Sequence, residues 1–172
     1  MDFSSFELKP EIIQAVERLG YEGTTPIQEQ AIPRMLAGNT DIIGLAQTGT
    51  GKTAAFGLPL IQLIDFESSS LQGLIVCPTR ELCLQITGDL KRFARFLPRA
   101  GIAAVYGGAD IRQQITEVKK GVQIIVATPG RLLDLVRRKA VRLDAVAFAI
   151  LDEADEMLNM GFQEDIDAIL EQ

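Results

Sequence analysis

The sequence has no histidine and only two cysteines. With no imidazole and no CxxC pair, it offers no zinc site of the usual ligand spacing. Cys77 and Cys83 lie six residues apart in apolar company, which reads as two small buried residues in a reducing compartment. Long hydrophobic runs are also lacking. No stretch of about 18 uncharged apolar residues occurs, so no membrane span is indicated. The start, MDFSSFEL, has no basic segment followed by an apolar one, so no signal peptide is read and a cytoplasmic setting is expected. Positive charge is in deficit, with 17 Lys and Arg against 23 Asp and Glu and a net charge of −6. That argues against a general electrostatic footprint on nucleic acid. Any such contact must run through a few placed groups. There is no internal repeat and no low-complexity tract. The nearest approach to a linker is the polar stretch FESSSLQG, residues 66–73.

What is present is enough apolar material for one core, 47% of 172 residues. Short, partly β-branched runs alternate with longer helical patterns. The runs are DIIGLA (41–46), GLIVC (73–77), GIAAVY (101–106), VQIIVA (122–127) and AVAFAIL (145–151). Nearly continuous apolar strands predict burial on both faces. Between them lie helical stretches such as KPEIIQAVERLG, with Pro10 at its start, Ile12, Ile13, Val16 and Leu19 on one face and Gly20 past its end. RELCLQITGDLKRFARFL and PGRLLDLVRRK read the same way. This alternation predicts an α/β fold of three layers, a parallel sheet with helices on both faces. Ligands in such folds bind beyond the carboxyl ends of the strands. The informative segments follow the strands: AQTGTGKT, PTREL, GG, TPGR and DEAD.

AQTGTGKT, residues 46–53, opens a helix directly after an expected strand. Gly49 and Gly51 allow the backbone N–H groups to wrap an anion. Lys52 can reach the β- and γ-phosphates, and the Thr53 hydroxyl suits Mg²⁺. Ala46 stands where the phosphate-loop pattern has its first glycine. A flexible glycine turn before a helix is the plain alternative, and the Lys-Thr pair after a strand argues against it. The last run delivers Asp152, placed to hold Mg²⁺ through water, and then Glu153, placed to activate an attacking water. Asp155 lies further round and suits a contact to a moving part. Carboxylates capping a helix are the alternative here. Beside a phosphate loop, the nucleotide–metal reading is preferred.

Taken together, these segments resemble the first RecA-like domain of a DEAD-box RNA helicase of bacterial type, from Phe3 to the end of the chain. GYEGTTPIQ, residues 20–28, is similar to the adenine-recognition segment called the Q motif. The resemblance implies that Gln28 reads the adenine edge, which an amide can do by donating and accepting at once. Tyr21 belongs to the same segment, and Thr24 replaces a common proline. An upstream aromatic stacks on the base in the family. Phe3 is the better match, and Phe6 is the competing assignment, more suited to the core. The implied ATP-binding set is then Phe3, Tyr21, Gln28, Ala46, Gln47, Thr48, Gly49, Thr50, Gly51, Lys52 and Thr53. The resemblance makes Lys52, Asp152 and Glu153 the catalytic residues, Thr53 and Asp152 the Mg²⁺ residues, and Asp155 an interdomain coupling residue.

PTRELCLQI resembles motif Ia, with Cys83 for the usual alanine. Gly107 and Gly108 match the GG motif, and TPGR (128–131) matches motif Ib. These segments imply an RNA-backbone track of Pro78, Thr79, Arg80, Gly107, Gly108, Thr128, Pro129, Gly130 and Arg131. Backbone N–H groups at glycines and helix starts bind phosphates without reading sequence. Singly, each segment is equally an ordinary turn or helix start. The basic clusters at 91–95, 118–120 and 136–139 fall on no motif and read as solvated helix faces.

The family also has a motif III, Ser-Ala-Thr, on a strand between the phosphate-loop strand and the DEAD strand. It has a second RecA-like domain that carries arginine fingers. No Ser-Ala-Thr follows Asp155. The expectation is a piece of a longer protein: residues 1–37 a helical segment with the Q motif, and 38–172 an incomplete RecA-like domain. A sheet lacking the motif III strand is expected to be unstable, or to fill the position by a swapped or rearranged strand. Arginine fingers are worth roughly 10³–10⁵ in rate. Hydrolysis by this piece alone is therefore expected near background, with weak nucleotide and very weak RNA binding. The implied whole protein is an ATP-dependent RNA helicase. An ATP-gated RNA clamp is the alternative. A metabolic phosphate-loop kinase leaves PTREL, GG and TPGR unexplained, and a DNA helicase sits poorly with the Gln28 segment.

Overall fold

Four short apolar segments pair into a parallel sheet: β1 (Gly73–Val76), β2 (Ile102–Val105), β3 (Ile124–Ala127) and β4 (Phe148–Leu151). Their order across the sheet is β2-β3-β1-β4. The computed structural model describes residues 1–38 and 40–172. Val105, Ala127, Val76 and Leu151 lie level across the sheet, so all four strands end along one edge. The ladder continues one step further. The N–H groups of Cys77, Thr128 and Asp152 donate to Ala127, Val105 and Val76 at 2.9 Å each. The central strands β1 and β3 are buried throughout. Leu74, Ile125 and Ala127 pack with Leu132, Met157 and Ile166, while the alternate residues Ile75 and Val126 are as deeply buried. This is the two-sided burial that continuous apolar strands predict.

The helices are α1 (Pro10–Arg18), α2 (Pro26–Ala37), α3 (Lys52–Leu63), α4 (Arg80–Phe93), α5 (Ile111–Val118), α6 (Pro129–Arg137), α7 (Ala154–Asn159) and α8 (Gln163–Leu170), after a 3-10 turn at Phe3–Phe6. Their ends follow local chemistry. Pro10, Pro26 and Pro129 begin α1, α2 and α6, where a missing N–H loses no hydrogen bond. Asp110 caps α5 by accepting from the Arg112 N–H at 2.8 Å.

The chain forms two compact units. One comprises Met1–Ile64 and Asp89–Ala100, the other Asp65–Gly88 and Gly101–Gln172. The first holds α1, α2 and the phosphate-loop helix α3, and the second holds the sheet. The division at Ile64 lies beside the linker-like 66–73 stretch. In the first unit α2 packs on α3, whose Leu58, Leu60 and Ile61 are fully buried. No described helix is long and apolar enough to cross a membrane.

One sequence expectation is corrected. DIIGLA, residues 41–46, is not a strand. It pairs with no described strand, and Ile43 and Leu45 are each 93% exposed. Extended backbone becomes a strand only with a ladder partner, and residues 41–46 have none among the described residues. The four strands present are contiguous. No gap opens between them, and no rearranged pairing takes in residues 41–46. Of the two edge strands, β2 is largely buried, whereas β4 has an exposed Ala149 and half-buried Phe148, Ile150 and Leu151.

Candidate nucleotide site and nucleic-acid track

In the first unit the loop before α3 turns through two left-handed glycines, Gly49 at φ +82° and Gly51 at φ +85°. The Thr50 hydroxyl donates to the Gln47 carbonyl at 2.7 Å, closing the turn. Lys52 and Thr53 are the first residues of α3, at the end that favours an anion. Gln28, on the first turn of α2 and only 1% exposed, holds this loop. Its Oε1 accepts from the Thr25 N–H at 2.9 Å, and its Nε2 donates to the Gly51 carbonyl at 3.2 Å. A Cβ on residue 51 would stand 2.4 Å from that nitrogen. The Thr25 hydroxyl beside them closes a capping box with Gln28 at the start of α2. Glycines wound left-handed before a helix start, with open space beside Gly49, fit a nucleotide's phosphates.

The aromatic expectation is altered. Phe3 is 3% exposed and packs edge-on to Phe6 and Tyr21, with centroids 6.2 and 5.7 Å away. Phe6 is buried too. Phe3 thus lies between Phe6 and Tyr21 in the core. Tyr21 is the partly exposed aromatic of the group. Burial pushes its phenol above the ordinary value, Asp89 adds to the shift and Arg92 opposes it.

In the second unit, four segments leave the sheet at its level edge. After β4 come Asp152 and Glu153, both half-buried. Asp152 Oδ1 accepts from the Glu153 N–H at 3.1 Å. Glu153 is left-handed, at φ +53°, a conformation disfavoured by roughly 1–2 kcal/mol for a residue with a Cβ. Such strain concentrates at functional sites. Asp155 is exposed in the first turn of α7. Cys77 and Cys83 are fully buried. The Cys77 thiol is pushed up by its hydrogen bond to Cys83, then by burial, and further by the charges of Asp152 and Glu153. It is an uncharged packing group beneath the carboxylates.

The other three segments follow β1, β2 and β3. Thr79, Arg80, Gly107, Gly108, Thr128 and Gly130 retain exposed surface, whereas Pro78 and Pro129 are buried. The prolines shape helix starts. The Thr79 hydroxyl accepts from the Leu82 N–H at 3.2 Å and so caps α4. The Arg80 guanidinium lies over the Tyr106 ring, 5.0 Å from its centroid. Arg131 is turned inward, its Nη1 donating to the Ala109 carbonyl and to Gln114 Oε1 at 3.1 Å each. Gln114 Nε2 donates to the Tyr106 carbonyl at 3.0 Å. Tyr106 and Gln114 belong to no motif. Gln114 was detectable as the one polar member of the stripe Ile111, Gln114, Ile115 and Val118 on α5. The basic clusters at 91–95, 118–120 and 136–139 are exposed as expected, apart from buried Phe93 and Ala94 and half-buried Val118 and Val136.

Residues 25–172 match the family model described as DEAD/DEAH box helicase. Among curated relatives, the ATP-dependent RNA helicase CshA of Listeria monocytogenes is 52% identical over 170 residues, covering 99% of this chain and 32% of that protein. The DEAD-box ATP-dependent RNA helicase CshA of Bacillus subtilis is 50% identical over 168 residues, covering 98% of this chain and 34% of that one. The chain spans about a third of the length of the curated relatives it matches. Among solved structures, a DEAD box protein from Methanococcus jannaschii superposes with a TM-score of 0.94 at 40% identity, covering 99% of this chain and 46% of that one. A hypothetical ATP-dependent RNA helicase from Sulfolobus tokodaii gives a TM-score of 0.88 at 39% identity, over 96% of this chain and 47% of the other.

Proposed function

The chain belongs to the DEAD/DEAH box helicase family, and from that premise we propose that it is the nucleotide-binding part of a cytoplasmic ATP-dependent RNA helicase that works with a second RecA-like domain. The observation that carries the reading is the bond from Gln28 to the Gly51 carbonyl. It ties a segment suited to adenine to a loop suited to phosphates within one compact unit. The Gln28 amide keeps one N–H and one lone pair beyond its two internal bonds, so it retains the donor and acceptor that an adenine edge requires. When bound, ATP supplies the phosphoanhydride whose hydrolysis the family uses.

The roles follow the chemistry of the groups. Backbone N–H groups from Gly49 to Thr53 receive phosphate oxygens, with Lys52 adding charge. Thr53 and Asp152 offer hard oxygen donors of the kind Mg²⁺ takes. Glu153 is a carboxylate fit to hold and orient a water. The exposed N–H groups of Gly107, Gly108 and Gly130, with Arg80, suit the sugar–phosphate backbone of RNA and read no base. Asp155 is assigned to coupling with the second domain.

The test is calorimetric titration with ADP and with GDP, repeated on Gln28→Ala. The reading expects ADP binding, weaker GDP binding, and loss of the preference in the variant. Equal affinity for both nucleotides, or no binding by protein that melts cooperatively, sinks the adenine assignment. For the whole protein, ATP turnover that single-stranded RNA fails to stimulate would remove the helicase reading.

A further inference from the structure

Gln114 is 7% exposed and stands on the inward stripe of α5, where an apolar residue would satisfy packing. Its amide uses both ends. Nε2 donates to the Tyr106 carbonyl at 3.0 Å, and Oε1 accepts from Arg131 Nη1 at 3.1 Å. The same Arg131 nitrogen donates to the Ala109 carbonyl at 3.1 Å. The turn containing Gly107 and Gly108 is therefore gripped on both sides, at Tyr106 by Gln114 and at Ala109 by Arg131. The Tyr106 ring in turn carries Arg80 on its face. Segments that follow two strands, β2 and β3, meet at this one buried amide, and Arg80, after β1, joins them through the Tyr106 ring.

We propose that Gln114 is a positioning residue of the RNA-backbone track, and that Arg131 serves as its internal partner and is not a phosphate ligand. This rests on the RNA reading of that track given above. Gly107 and Gly108 are exposed and Gly108 is left-handed at φ +78°, a backbone with little stiffness of its own. Their N–H groups bind phosphates well only if the turn is held beforehand, since ordering it on binding would consume affinity. Only a side chain that donates and accepts together can serve both the Tyr106 carbonyl and the Arg131 guanidinium. Leucine fills the space and serves neither. Glutamate keeps the Arg131 contact but sets a second acceptor against the Tyr106 carbonyl.

The experiment uses the whole protein, with labelled single-stranded RNA titrated by anisotropy in the presence of a non-hydrolysable ATP analogue, and RNA-stimulated ATP turnover. The variants are Gln114→Leu, Gln114→Glu and, as control, Gln113→Leu on the exposed side of α5. For Gln114→Leu the RNA concentration at half-saturation rises about tenfold, the loss of one charged-group hydrogen bond. The KM for ATP and the turnover at saturating RNA stay within about twofold. The slope of log K against log salt is unchanged, because no phosphate partner has been removed. Gln114→Glu weakens RNA binding less, and Gln113→Leu not at all. If Gln114→Leu melts early, Gln114→Glu, isosteric and still paired to Arg131, carries the test.

RNA affinity unchanged in both Gln114 variants overturns the inference while leaving the RNA reading intact. So does a loss matched by an equal rise in the KM for ATP, which would mark general destabilisation. A salt slope lowered by about one would mark a lost phosphate contact and overturn it too. A wild-type protein that binds no RNA removes the RNA reading itself, and this inference with it.

Discussion

Gly51 combines a left-handed backbone, φ +85°, with a Cβ position 2.4 Å from Gln28 Nε2. Gln28 is buried and bonded at both ends, so it cannot swing aside cheaply. Gly51→Ala is therefore expected to cost about 1–3 kcal/mol in stability and to weaken ADP binding at least tenfold. A chemical denaturation curve and a calorimetric titration read the two effects. A stability within error of the wild type would mean that the loop relaxes away from Gln28. Glu153 combines a carboxylate's chemistry with a left-handed, strained backbone. In the whole protein, Glu153→Gln should lower ATP hydrolysis by about 10²–10⁴ while leaving ADP affinity unchanged. An equal loss of affinity would make Glu153 a binding group and not a base. Three glutamines, Gln28, Gln114 and Gln123, are buried, and each joins separate pieces of backbone or loop. Gln28 was legible because it ends a motif. Gln114 left only the trace of a polar residue in an apolar stripe, and Gln123 left none, because a glutamine's burial depends on what folds over it.

At the scale of elements, the sheet divides into a buried centre and an open edge. Ile75 in β1 has no exposure, while Ile150 in β4 is half-buried beside a free edge. Ile75→Ala should cost about 2–5 kcal/mol, and Ile150→Ala should cost much less, as measured by denaturant titration. Equal costs would mean that the β4 edge is covered in solution. Residues 41–46 read as a strand by composition and are not one. Ile43→Ser with Leu45→Ser should therefore leave stability within about 0.5 kcal/mol of the wild type. A loss of several kcal/mol would place this segment in a core. Amide exchange should agree, slow in β1 and β3 and fast at 42–46. The period and residue types of an apolar run show what it can pair as, but a ladder has two sides, and the second lies elsewhere in the chain.

At the scale of the whole molecule, a net charge of −6 coexists with an anion-binding assignment. The reconciliation is that the exposed contacts are mostly neutral N–H groups, with Arg80 the main free cation of the track. Neutral donors release few counterions. RNA binding by this chain at low salt should then show a slope of log K against log salt near −0.7 to −1.5, from about −0.7 per neutralised phosphate on a single strand. A slope steeper than about −3 would place the exposed lysine and arginine clusters in the contact after all. The buried thiols offer a second global readout. Cys77 and Cys83 should react with a thiol reagent far more slowly in the native chain than in denaturant, since both are fully buried and free.

By itself, the sequence determined the α/β class, the parallel strands at 73–77, 101–106, 122–127 and 145–151 to within a few residues, and the segments that follow them. These are local properties: apolar runs, proline starts, left-handed glycines and a Lys-Thr pair, each legible from a residue and its neighbours. Tertiary structure alone decided that residues 41–46 stay unpaired, that Phe3 packs into a core, that Arg131 turns inward and that Gln114 holds the glycine turn. Each of these is a competition between water and a distant partner. Its outcome turns on which groups the fold brings within hydrogen-bonding or packing distance, and no window of the sequence contains both sides.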